Sequence, residues 1–132
     1  MIIRFILLII PIPILFSPRS NPYKRGASWG PFIIIGKDFK KDEGLIQHEL
    51  VHCRQWYVTL GMSFWLYLFS KKYRLWAEVS AFAKQASMYT GEIREDKILF
   101  FTECIVNNYG LNVTSHKVRE MLWDKVLDTI CD

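Results

Sequence analysis

The first sixteen residues, MIIRFILLIIPIPILF, constrain the fold most. They are apolar apart from Arg4, and Pro11 and Pro13 interrupt them. A membrane-spanning helix needs about 20 apolar residues. Proline inside a helix removes a hydrogen bond and clashes with the preceding turn. The run is therefore expected to be a buried β-strand rich in Ile and Leu, ending in a proline-stiffened loop. A basic residue followed by an apolar stretch is also how a secretory signal or membrane anchor begins. That alternative stays open, although SPRSNPYKRG (17–26) offers no good small-x-small cleavage site.

The rest of the chain reads as one short strand and four helices. PFIII (31–35) is a buried strand ended by Gly36. A helix is predicted from about Glu43 to Leu60, with Asp42 as N-cap and Gly61 as the stop. A second runs from about Lys71 to Met88, ending near Gly91, with Leu75, Val79, Phe82 and Ala86 on one face. Further helices fit Ile93–Asn107 and Ser115–Ile130, the last capped by Thr114 or Ser115, with Val118, Leu122, Val126 and Ile130 as its apolar stripe. The loop-like stretch 17–30 separates the strands. MSFWLYLF (62–69) is too short to cross a bilayer and reads as a core or interfacial helix. The expected fold class is α+β, a mostly helical single domain over 1–132 with a small N-terminal sheet.

Composition excludes some classes. With 51% apolar residues and 20 aromatics among 132 residues, a packed globule is expected and disorder is not. The net charge of +4 is spread over short clusters (YKR 23–25, KDFKK 37–41, KKYR 71–74), which read as solvated faces. No nucleic-acid partner is expected from it. Three widely spaced cysteines (Cys53, Cys104 and Cys131) form no disulfide scaffold. Free thiols suit a reducing compartment. That points to the cytoplasm, with export, or membrane association through the N-terminal apolar segment, as alternatives.

The chemistry is concentrated in QHELVHCRQW, which contains His48-Glu49-Leu50-Val51-His52. Two imidazoles four positions apart on a helix stand about 40° apart around its axis, so their nitrogens can converge on one ion. Zinc accepts such a pair readily. Glu49 projects beside the histidines, where a carboxylate can hold a water. A shuffled chain with three His and seven Glu would contain this pattern roughly 0.004 times.

A catalytic zinc needs a third protein ligand. In the pattern H-E-x-x-H-x-x-G-x-x-H the last two positions fall at Gln55 and Val58, which excludes the metzincin arrangement. His116 lies far downstream. Glu78 sits within the apolar stripe of the second helix, where a carboxylate is costly unless paired or metal-bound. Glu78 is the candidate third ligand, with a salt bridge to Arg54 or Arg74, or a rim position, as the alternative. Cys53 points about 100° from His52 and reads as a small core side chain.

These residues resemble the gluzincins, zinc metallopeptidases that carry His-Glu-x-x-His on one helix and a glutamate on the next. The resemblance runs from about Asp42 to Gln85. It rests on LIQHELVHCRQW and on WAEVSAF, with 25 residues between His52 and Glu78. The pattern is similar to small bacterial and phage members. The resemblance implies a zinc ion on His48, His52 and Glu78, with Glu49 as general base toward a zinc-activated water, and a peptide or protein substrate. It implies that a strand within ASWGPFIII (27–35) is the sheet edge along which substrate would extend. It also implies a hydroxyl or imidazole donor to the oxyanion, for which Tyr57, Tyr73, Tyr89, Tyr109 and His116 are candidates. Ser80, Asp96 and Glu103 are candidates for orienting the histidines. Competing readings are a non-catalytic zinc-stabilised helical adaptor, a membrane-associated zinc protease, and a binding module without zinc.

Overall fold

A computed structural model describes residues 2–6, 10–17 and 26–131 of the chain. The basic cluster 23–25 lies outside the described residues. The class is α+β. Among the described residues a small N-terminal sheet is followed by five helices, one more than expected. The chain divides into two compact units, Met1–Phe64 and Trp65–Asp132.

The first unit holds a four-stranded sheet: β1 (Ile2–Ile6), β2 (Ile10–Ser17), β3 (Gly26–Ser28) and β4 (Ile33–Gly36), in the order β1-β2-β4-β3. β1 and β2 are antiparallel, β2 and β4 parallel, and β3 and β4 antiparallel. The apolar N-terminal run is thus two strands, and its prolines lie inside the second of them rather than in a loop beyond it. The pairing explains why. Pro11 and Pro13 stand two apart, so the donors they lack fall on one edge of β2. The ladder with β4 begins only at Ile14, so residues 10–13 need donors on a single side.

Alternation then places Ile12 and Ile14 of β2, and Ile33 and Ile35 of β4, on one face, all fully buried. They pack against Leu45, Ile46, Leu50 and Cys53 of α1 (Glu43–Val58). α1 starts as expected: Asp42 Oδ1 accepts from Leu45 N at 3.0 Å. It ends two residues early, through left-handed Leu60 and Gly61, with Gly61 N donating to Trp56 O at 2.8 Å.

β3 falls in a stretch expected to be loop. Its three residues have little strand propensity of their own, and pairing with β4 supplies the order. Gly26 lies close to its neighbours there. A Cβ at this position would stand 2.9 Å from Ile35 Cδ1 and 3.5 Å from Glu49 Cγ.

α2 (Met62–Phe69) is the helix beyond the expected four. It is not a core helix, because Ser63 alone among its residues is buried. The boundary between the units falls within α2, after Phe64, and the second unit continues through α3 (Lys71–Ser87), α4 (Gly91–Asn108) and α5 (Ser115–Cys131). Ser70 Oγ caps α3 through Tyr73 N at 3.1 Å, and Thr114 Oγ1 caps α5 through Lys117 N at 3.2 Å. Leu75, Val79, Phe82 and Ala86 of α3 meet Ile98, Phe101 and Ile105 of α4 and Val118, Leu122 and Val126 of α5 in one core. Ile130, expected on the same stripe, is 46% exposed, because the core ends one turn before it.

Candidate metal centre

His48 and His52 lie one turn apart on α1, with ring centroids 5.1 Å apart and planes inclined by 70°. His48 is buried and His52 half-buried. Their helix is anchored by its apolar face on the sheet, so both rings are held by a rigid element. His52 Nδ1 stands 3.0 Å from Gln55 Oε1, one turn further along. In the tautomer where Nδ1–H donates to that oxygen, Nε2 carries the lone pair a metal would take. Gln55 is therefore the orienting partner of His52, a role for which Ser80, Asp96 and Glu103 were the candidates. The sequence signal for it is the i, i+3 spacing on α1. Asp96 and Glu103 are exposed, and Glu103 accepts from Ser115 Oγ at 3.2 Å and Asn107 Nδ2 at 3.3 Å.

Glu49 is buried on α1, beside the point where β3 passes at Gly26. Its charge reaches Cys53. Burial first, and the Glu49 carboxylate second, push the Cys53 thiol up to about 12. Cys53 is a fully buried core side chain, as expected. Below that pH it stays a neutral thiol and a poor nucleophile. Iodoacetamide at about pH 8 should therefore alkylate the exposed Cys131 and leave Cys53 unmodified until the chain is denatured, as read by peptide mass spectrometry. Rapid native labelling of Cys53 would contradict this placement.

Glu78 lies on α3 and is only 3% exposed. The Tyr67 hydroxyl donates a short hydrogen bond to its Oε1. Burial, and then the Glu78 charge, hold the Tyr67 phenol well above its ordinary range, so it remains a donor. Arg74, an alternative partner for Glu78, gives its guanidinium to carbonyls instead: Tyr67 O at 2.8 Å, Tyr109 O at 2.8 Å and Leu68 O at 2.9 Å. Tyr67 is not one of the candidate tyrosines Tyr57, Tyr73, Tyr89 and Tyr109. It was hidden inside the apolar run 62–69, where the i, i+4 pair Ser63 and Tyr67 marks a polar side.

The other sequence candidates have local roles. Tyr57 packs edge-on to Trp56 at 5.0 Å and against the first core. Tyr73 tilts on Trp76 at 5.4 Å, and Lys97 Nζ lies 5.0 Å from the Tyr89 ring centroid. Tyr109 packs on Phe82 at 6.4 Å. His116 is exposed on α5 and pairs with Glu120 at 3.1 Å, one turn away.

His48, His52 and Glu78 each offer one ligand atom, and these three atoms lie within 4.8 Å of one another. Tetrahedral ligands about 2.1 Å from zinc stand about 3.4 Å apart. Two imidazoles and a carboxylate, two of the three residues buried, also match in donor type what a catalytic zinc takes. Comparison of the chain with family models, with curated proteins and with solved structures gives no match.

Proposed function

We propose that the chain is a zinc-dependent peptidase whose metal is held by His48, His52 and Glu78 and whose general base is Glu49. The observation that carries this reading is the convergence of the three ligand atoms within 4.8 Å, with a buried carboxylate in sequence next to the first histidine. A zinc ion bound there would supply Lewis acidity, making water easier to deprotonate and a carbonyl easier to attack.

The protein's own groups do the rest. His52 is oriented by Gln55, and Glu78 by the Tyr67 hydroxyl. A carboxylate of Glu49 takes the proton from water and returns it to the leaving amine. The substrate backbone extends along β3, last in the strand order, which passes Glu49 at Gly26. A structural zinc is ordinarily closed by four Cys and His ligands. Three ligands, with a glutamate next to the first histidine in sequence, favour the peptidase over the non-catalytic adaptor.

The test is metal analysis joined to a proteolysis assay. Purified chain should carry one zinc per molecule. It should hydrolyse an unfolded protein such as casein, lose that activity to a chelator and regain it with added zinc. Stoichiometric zinc without hydrolysis would favour the adaptor. Metal at trace level would end both readings.

A further inference from the structure

α2 is inverted relative to an ordinary surface helix. Its polar side chains face in: Ser63 is buried and Tyr67 half-buried. Its six large apolar side chains face out. Phe64 is 53% exposed, Trp65 56% and Phe69 79%, and the remaining three are all more than a third exposed. Trp65 and Phe69 stack at 6.1 Å with 3° between their planes, forming one aromatic ridge. Contiguous exposed apolar surface of this kind marks a contact with an apolar phase or partner.

Charge selects between these. No acidic residue occurs between Glu49 and Glu78, and exposed Lys71 and Lys72 follow α2 directly. Trp76, 49% exposed, lies one turn after Lys72 on the same side of α3. Arg74 does not contribute a free charge. It donates to carbonyls of the last turn of α2. An aromatic ridge flanked by lysines and another Trp has the composition of an element that lies in the bilayer interface, apolar face down, with cations at the headgroups. Eight residues rise about 12 Å, far short of the roughly 30 Å hydrocarbon core, so the element lies in the surface and does not cross it. No described helix is long and apolar enough to span.

We infer that α2, with Lys71 and Lys72, docks the protein on anionic lipid surfaces. Phe64, Trp65 and Phe69 enter the boundary between headgroups and acyl chains, and the two lysines meet lipid phosphates or carboxylates. This is separate from the N-terminal apolar run, whose Ile12 and Ile14 are spent on the core. It requires no metal.

Vesicle flotation tests it, using the full chain. Phosphatidylcholine vesicles with phosphatidylglycerol added to about one third should carry the chain at least about tenfold better than phosphatidylcholine alone. Salt near 0.5 M should reduce the difference. The double variant Trp65→Ser with Phe69→Ser should lose binding to both vesicle types. Lys71→Glu with Lys72→Glu should fall to the phosphatidylcholine level. These lysines are exposed, so the second pair tests docking even if the first disturbs folding, which circular dichroism would report. Absence of flotation with anionic vesicles overturns the inference, as does equal binding by wild type and the lysine pair. A concentration-dependent dimer that dissociates on Phe69→Ser, without vesicle binding, would also overturn it and assign the ridge to a second copy of the chain.

Discussion

Replacing Glu49 with glutamine should lower peptide hydrolysis by about 10²- to 10⁴-fold, the usual worth of a positioned acid–base group, while zinc content stays at one per chain. The two readouts separate because Glu49 is beside the proposed ligands in sequence but is not one of them. Glutamine nearly matches glutamate in volume, so a side chain 6% exposed can be replaced without opening a cavity beside Gly26. It can still hold a water by hydrogen bonds, but it cannot take up the water's proton. The loss should fall on kcat with KM little changed, since the interaction removed exists only as the proton moves. The Cys53 thiol offers an internal check independent of turnover. The Glu49 carboxylate contributes to raising it to about 12, so the Glu49→Gln variant should show a Cys53 that ionises at lower pH, although burial keeps it well above an ordinary thiol. Full activity in a correctly folded variant would remove Glu49 as base.

Much of this arrangement was legible in the chain because it rests on local patterns. The two histidines four positions apart, the Asp42 cap and the Leu75–Val79–Phe82–Ala86 stripe are set by helical spacing, and the structure reproduces them. Burial of Glu78 followed from its place on that stripe. What the sequence hid depends on partners distant in the chain. β3 exists because β4 is available to pair with, and Pro11 and Pro13 are tolerated because β4 joins only at Ile14. Neither fact is visible in the strands' own residues. α2 was obscured differently. Its apolar composition fits a core or an interfacial helix, and only the structure turns Ser63 and Tyr67 inward and excludes the core placement. Tyr67 is hidden in the sequence for the same reason, although it hydrogen-bonds the carboxylate on which the metal reading depends.

Glu78→Gln should weaken zinc binding by more than about 100-fold, because loss of an outer partner of a ligand already costs about 10- to 100-fold and Glu78 is proposed to touch the ion itself. Without zinc, the same substitution should leave thermal stability unchanged or raise it. A carboxylate 3% exposed is held away from water at a desolvation cost, and the Tyr67 hydroxyl is one of the groups that offset it. Glutamine keeps a carbonyl for the Tyr67 hydroxyl and removes the charge, so the metal-free fold loses little and sheds a desolvation penalty. A residue kept only for packing or for the Tyr67 hydrogen bond would behave differently: zinc affinity would not change, and stability would be the same with and without metal. Competition of zinc against a fluorescent chelator, set beside melting curves of both forms, reads the two effects separately. The metal-free curve also shows whether a weakened affinity reflects a lost ligand or an unfolded chain. If affinity is retained, Glu78 is not a ligand, and His48 and His52 must find their third one elsewhere.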